Sequence, residues 1–99
     1  MRAVVMRGPR DVEVGEVDVA APGPHEVRIK TAAAGICATD HGVYTGRQTR
    51  PLPQVMGHES AGVVTEIGRD VTEVAVGDHV VTCMSVFCGH CEYCLTGRP

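Results

Sequence analysis

The sequence has few aromatic residues and no long apolar run. Its 99 residues include one Phe, two Tyr and no Trp, so a core must be built mainly from Val, Ala, Ile and Met. No window is long and apolar enough to cross a bilayer, and no extended apolar segment of a signal peptide follows Met1. We therefore expect a cytoplasmic protein with no membrane partner.

Runs of basic residues are also missing. Lys and Arg together number 9 against 12 Asp and Glu, which gives a formal net charge of -3. Because binding to nucleic acid requires clustered cations that neutralise phosphates, we expect no nucleic-acid partner. With 43% hydrophobic residues, the composition is that of one small globular domain, which we place at residues 1–99.

A glycine-rich phosphate loop is absent as well. No two glycines lie two positions apart, which excludes the pattern Gly-x-Gly-x-x-Gly, and no strand–helix–strand unit is present to carry it. The chain therefore has no dinucleotide-binding fold of its own.

Short β-branched stretches separated by Gly and Pro turns predict a mainly β fold. Strands are predicted at 4–6, 12–14, 27–33, 60–67 and 80–86. The first two should form a hairpin, and the slip of the apolar phase after Gly15 predicts a bulge there. A short helical turn is expected within 37–44, and a loop after Pro53. Strands of this length and spacing favour a closed or partly open barrel.

The strongest signal is the run of Cys88, Cys91 and Cys94 at three-residue intervals. This spacing lets a folded-back loop aim three sulfurs at one metal ion. The total of five cysteines is odd, and without a secretory signal it fits reduced thiols better than disulfides. A closed structural zinc site takes four ligands, and this run supplies three.

Iron is the alternative metal, because bacterial ferredoxin motifs begin with the same spacing. Pro99 stands where that motif has its proline, but Arg98 occupies the position of the fourth cysteine. Arginine cannot ligate iron, so zinc is the better assignment, and the colour of the protein would test it. His90, inside the run, is expected at the surface.

Three further polar residues are candidate ligands. Cys37 follows a predicted strand at a possible helix start, where its pKa can be lowered, and His58 and Glu59 precede another strand. Each also has an ordinary explanation, a small buried thiol for the first and solvent-exposed polar residues for the others. Spacing alone does not establish that Cys37 and His58 meet.

Several motifs in one order resemble the N-terminal, catalytic-domain portion of the zinc-dependent medium-chain alcohol dehydrogenases. They run through the whole chain: 1–6, Pro24-His25-Glu26-Val27-Arg28-Ile29-Lys30, Ala34-Gly35-Ile36-Cys37-Ala38-Thr39-Asp40, Gly57-His58-Glu59 with Gly62, Val76-Gly77-Asp78-His79-Val80, and Cys88-Gly89-His90-Cys91-Glu92-Tyr93-Cys94 with Gly97.

The resemblance implies a GroES-like, partly open β-barrel with short helical turns and a zinc-knuckle loop at its C-terminal end. It also implies an enzyme that oxidises a small alcohol to an aldehyde or ketone, by alkoxide formation at zinc and hydride transfer to NAD or NADP. That cofactor would be bound mainly by a domain outside this chain, and the full-length enzyme would be a homo-oligomer. We expect the isolated 99 residues to be inactive.

By the same resemblance, Cys37 and His58 are two ligands of a catalytic zinc, with a third beyond Pro99. Glu59 would be a nearby carboxylate that can approach the metal, Asp40 would orient His58, and Thr39 would carry the alcohol proton away. The run of three cysteines would hold a structural zinc, its fourth ligand also beyond the last residue, so that 88–99 form a truncated structural zinc lobe.

The sequence departs from the family pattern at two places. Gly42 stands where many relatives have a relay histidine, so a proton relay through the neighbouring His41 is not expected. Ala38 offers only a methyl group where a polar residue could reach a cofactor phosphate. Cys83 has no family role and is predicted to be a core thiol in an apolar strand. The alternative function is a stand-alone zinc-binding β-barrel that serves as an interaction module.

Overall fold

The computed structural model describes residues 1–98 and confirms the mainly β fold. In chain order its elements are β1 (Arg2–Gly8), β2 (Asp11–Glu16), β3 (Val27–Ala34), α1 (Ala38–Tyr44), β4 (Gln54–Val55), β5 (Ser60–Ile67), β6 (His79–Val81) and α2 (Glu92–Leu95). Pro99 lies outside the described residues. It is the proline of the iron–sulfur alternative and the last residue of both the predicted domain and the predicted zinc lobe.

The strands form two antiparallel sheets with the orders β2-β1-β4 and β3-β5-β6. Across residues 1–98 no strand pairing joins one sheet to the other. The barrel is therefore partly open, as predicted.

The predicted hairpin is present, but the predicted bulge at Gly15 was wrong. β1 and β2 pair in regular register through Ala3 and Gly15, and the register shifts instead between Met6 and Gly8. The apolar phase slips after Gly15 because β2 ends at Glu16. The slip therefore marks the end of a strand.

Two further predictions need correction. The segment after Pro53 is not all loop, because Gln54–Val55 pairs with β1 as a short edge strand. The strand predicted at 80–86 ends at Val81, and Cys83 beyond it is exposed. The prediction of a core thiol was thus wrong, since the chain leaves the sheet before reaching that residue.

The buried apolar core is small. Its buried side chains are Met6, Val43 and Val64, with exposed fractions of 3%, 4% and 1%. They come from β1, α1 and β5, so the helix and both sheets contribute to the core. Within the described part of the chain, no helix combines the length and apolar character that a membrane span requires.

Candidate metal centres

The pairing of β3 with β5 brings Cys37 and His58 to the same end of one sheet. Ala34, the last residue of β3, is opposite Ser60, the first residue of β5. Cys37 lies three positions after that pair and His58 two positions before it, so both emerge at one edge. One ligand atom from each of Cys37, His58 and Glu59 lies within 4.8 Å of the others. We call these three residues the β3–β5 cluster.

Helix α1 starts directly after Cys37, its N-cap residue, and Asp40 closes a capping box there. The backbone N–H of Cys37, in extended conformation, donates to the Asp40 carboxylate at 2.9 Å. The other oxygen of the same carboxylate lies 3.5 Å from Nδ1 of His58. One side chain therefore begins the helix and also faces one edge of the imidazole ring.

The second nitrogen of His58 faces Thr39. The Thr39 hydroxyl lies 3.5 Å from Nε2, and both side chains are partly buried. The imidazole is thus flanked by a carboxylate on one edge and a hydroxyl on the other. A carboxylate at Nδ1 fixes the tautomer and orientation that a ligating histidine needs, and Nε2 is then the nitrogen that can bind a metal.

Local hydrogen bonds favour the anionic form of Cys37. Its pKa is lowered first by hydrogen bonds from the side chain and backbone of Thr39, and then by one from His58. The pKa of His58 is raised, chiefly through its hydrogen bond with Cys37 and further by the negative charge of Asp40. Thiolate is the form that binds metal, whereas a ligating histidine must be neutral, so metal binding here would release a proton from His58.

Glu59 is exposed, and its carboxylate lies against a glycine. The backbone N–H of Gly35 donates to the carbonyl oxygen of Glu59 at 2.9 Å. A Cβ atom at Gly35 would lie 3.3 Å from Cβ of Glu59 and would collide with its carboxylate. The space that Glu59 occupies therefore exists because residue 35 has no side chain.

The three cysteines of the C-terminal run form a second cluster, the knuckle cluster. Sγ of Cys94 lies 3.8 Å from that of Cys88 and 3.5 Å from that of Cys91. Sulfurs placed tetrahedrally around zinc at about 2.3 Å would be about 3.8 Å apart, so the spacing fits such an ion. Cys91 precedes α2 and Cys94 lies within it, so the helix start fixes two of the sulfurs.

Hydrogen bonds also polarise the knuckle cluster. The pKa of Cys88 is lowered to about 6, first by the backbone N–H of His90 and then by that of Cys91. The pKa of Cys94 is raised: the backbone of Gly89 lowers it, but hydrogen bonds with Cys91 and Cys88 and partial burial raise it more. One sulfur of the cluster is therefore readily anionic, as a metal ligand must be.

Other residues named from the sequence lie outside both clusters. His90 is exposed, with Nδ1 2.8 Å from the carbonyl oxygen of Cys88. His41 and Ala38 are exposed on α1. The guanidinium of Arg98, which occupies the ferredoxin cysteine position, lies 5.8 Å from the centre of the Tyr93 ring.

Sequence reasoning missed one residue that supports the β3–β5 cluster. The hydroxyl of Thr82 donates to the carbonyl oxygen of His58 at 3.0 Å, and its oxygen accepts the N–H of Ser60 at 3.0 Å. It holds the start of β5 next to the end of β6. A threonine after an apolar strand is ordinary, so no local signal identifies this role.

Comparison with known proteins places these features in a family. The family model described as "Alcohol dehydrogenase GroES-like domain" matches residues 23–99. The chain is 43% identical over 99 residues to S-(hydroxymethyl)glutathione dehydrogenase of Photobacterium damsela subsp. piscicida, covering 98% of this chain and 27% of that protein. The chain thus spans about a quarter of the length of the curated relatives it matches.

Solved structures agree with the sequence match. A crystal structure of an NAD-dependent alcohol dehydrogenase superposes with a TM-score of 0.86 at 44% identity, covering 99% of this chain and 30% of that one. A cobalt- and zinc-bound thermostable alcohol dehydrogenase from Pyrobaculum aerophilum gives 0.84 at 40% identity, covering 99% and 31%.

Proposed function

Because the chain belongs to the alcohol dehydrogenase GroES-like domain family, we propose that residues 1–99 are the N-terminal part of a zinc-dependent alcohol dehydrogenase. In this proposal they form part of its catalytic domain, and 88–99 form its structural zinc lobe. The enzyme oxidises a small alcohol to an aldehyde or ketone and passes hydride to NAD or NADP, which the rest of the longer protein mainly binds. It is cytoplasmic and homo-oligomeric, and has no nucleic-acid or membrane partner.

The observation that carries the proposal is the β3–β5 cluster. Cys37, His58 and Glu59 offer sulfur, nitrogen and oxygen atoms within 4.8 Å of one another, which is a donor set that zinc accepts. Alcohol dehydrogenases are themselves a standard example of catalytic zinc held by two cysteines and one histidine. Cys37 and His58 would be one of each, and the three sulfurs of the knuckle cluster would hold the structural zinc.

Bound zinc would supply a Lewis acid that lowers the pKa of the alcohol and orients it. The residues around it have separate tasks. Asp40 holds His58 through Nδ1, 3.5 Å from its carboxylate. Thr39 holds the alcohol proton at Oγ1, the atom 3.5 Å from Nε2 of the same ring. Glu59, which lies against Gly35, would be the carboxylate close enough to approach the metal.

The test is oxidation of primary and secondary alcohols by the full-length protein, followed through the absorbance of the reduced nicotinamide. The alcohols should include hydroxymethyl thiol adducts, because one relative is named for S-(hydroxymethyl)glutathione. We expect Cys37→Ser to abolish turnover. Cys83→Ser, an exposed cysteine outside both clusters, is the control and should leave it unchanged. Full activity in Cys37→Ser would contradict the proposal.

The isolated chain should show no dehydrogenase activity, because hydride transfer needs a cofactor that the rest of the enzyme binds. Turnover by a purified 1–99 fragment would contradict this expectation. If the full-length protein binds zinc tightly but oxidises no alcohol, the alternative of a zinc-binding interaction module would be favoured. Visible iron–sulfur absorption would favour an electron carrier.

A further inference from the structure

A cavity of about 210 Å³ lies beside the β3–β5 cluster. Its wall contains His58 of the cluster, Thr39 and Asp40 beside it, and two polar residues from elsewhere in the chain, Arg50 and Gln54. At about 30 Å³ for each water molecule, the volume corresponds to about seven waters. An alcohol of a few carbon atoms fits a space of this size next to the proposed metal.

The cavity wall combines apolar and polar residues. Val43, Met56 and Met84 supply apolar surface, whereas Arg50 comes from the segment that follows α1, and Gln54 begins β4. A ligand that fills the cavity would therefore have a short carbon chain in contact with the apolar side chains. Its polar group would meet the guanidinium of Arg50 and the amide of Gln54.

Arg50 is the uncompensated charge in this wall. The carboxylate of Asp40, which also lines the cavity, is engaged by the N–H of Cys37 at 2.9 Å and lies 3.5 Å from His58. Within residues 1–98, Arg7 and Arg28 form ion pairs, but no carboxylate is close enough to pair with Arg50. Its permanent positive charge is therefore available to an anionic ligand.

We propose that Arg50, assisted by Gln54, binds the carboxylate of a hydroxy acid, so that short carboxylate-bearing alcohols are preferred substrates. A planar guanidinium can donate two parallel hydrogen bonds to one carboxylate, and the Gln54 amide is a further donor. This inference rests on the proposed alcohol oxidation and adds the chemical class of the alcohol to it.

The test compares two substrates of equal chain length, ω-hydroxybutanoate and n-butanol, in the full-length enzyme. Arg50→Gln should lower kcat/KM for the hydroxy acid about 10- to 100-fold, mainly by raising KM, and change it less than about 2-fold for butanol. Arg50→Lys, which keeps the charge without the planar fork, should recover part of the loss. Arg47→Gln is the matched control, because Arg47 is exposed on the same segment and does not line the cavity.

Calorimetry with butanoate gives a second measurement that does not depend on turnover. We expect Arg50→Gln to weaken butanoate binding by about the same 10- to 100-fold factor, and Arg47→Gln to leave it unchanged. If the wild-type protein oxidises no alcohol, the proposed function fails, and calorimetry still decides whether Arg50 binds carboxylates.

Three results would overturn the inference. Equal losses for hydroxybutanoate and butanol would show that Arg50 has no role specific to the carboxylate. Equal losses with the Arg50 and Arg47 substitutions would show that the effect comes from the overall electrostatic potential of the protein and not from a contact with Arg50. An increase in KM for the nicotinamide cofactor, equal with both alcohols, would place a cofactor phosphate at Arg50 instead of the substrate.

Discussion

Replacing Gly35 with alanine should disturb the β3–β5 cluster while leaving the fold intact. The added Cβ would lie 3.3 Å from Cβ and 3.5 Å from Cδ of Glu59 and would collide with its carboxylate. The backbone of the two residues is held by the 2.9 Å hydrogen bond from N–H of Gly35, so the Glu59 side chain must rotate away. Holding a side-chain dihedral about 30° away from its rotamer costs about 0.5–1.5 kcal/mol. Loss of a flexible glycine from the unfolded chain offsets about 0.4–1 kcal/mol of that.

The free energy of unfolding should therefore change by less than about 1 kcal/mol, because these two terms nearly cancel. The metal should respond more strongly, since displacing a neighbouring carboxylate typically weakens a metal site about 10-fold. Denaturant titration of the full-length protein measures the first effect, and zinc competition with a chromophoric chelator measures the second. Gly15→Ala is the control, because the nearest atom to a Cβ there is a Glu13 carboxylate oxygen at 3.6 Å.

A double-mutant cycle with Glu59→Ala tests the reasoning behind this prediction. In the background without the carboxylate, adding alanine at Gly35 should produce no further loss of zinc affinity. If the loss is the same in both backgrounds, the glycine does not act through Glu59 and the explanation is refuted. A loss of several kcal/mol of stability would also refute it, because a flexible side chain would then not have absorbed the collision.

Three other predictions follow from named contacts. Gly62→Ala should destabilise the protein by about 1–3 kcal/mol or more in denaturant titrations, because its Cβ would collide with the rigid backbone oxygen of Lys30; an unchanged midpoint would contradict this. Asp40→Asn should weaken zinc binding at the β3–β5 cluster about 10- to 100-fold, because His58 loses its anionic partner, and an unaltered competition titration would argue against that role. In metal-free protein, Cys88, with a pKa of about 6, should be alkylated by iodoacetamide at neutral pH and more slowly as the pH falls through 6. Peptide mass spectrometry measures which cysteine is labelled, and labelling of Cys91 or Cys94 before Cys88 would contradict this prediction.

Local features of the fold could be predicted from the sequence because their causes are local. The β-branched run 60–67 is strand β5 with the predicted bounds, and the hairpin follows from the turn between two short apolar runs. The helical turn at 37–44 also forms, because a capping aspartate lies three positions after Cys37. In each case the determining residues are within a few positions of one another.

Features that depend on pairing between distant segments could not be predicted in the same way. Cys37 and His58 converge because β3 pairs with β5 in a register that sets Ala34 opposite Ser60. The spacing of residues along the sequence does not determine that register. Strand β6 ends at Val81, and one more backbone hydrogen bond, from the N–H of Thr82 to the carbonyl oxygen of Ser60 at 2.9 Å, lies beyond it. The apolar pattern continues past Thr82, but the strand pairing does not.

The central claim is that Cys37 and His58 bind the same ion, and metal stoichiometry of the full-length protein tests it most directly. Metal content per chain is measured for Cys37→Ser, His58→Ala and the double variant, with the cobalt-substituted form giving the thiolate absorption of each site. The account predicts that either single substitution removes the same ion, that the double variant loses no more, and that the ion at the knuckle cluster remains. Single substitutions that remove different ions, or neither, would contradict it.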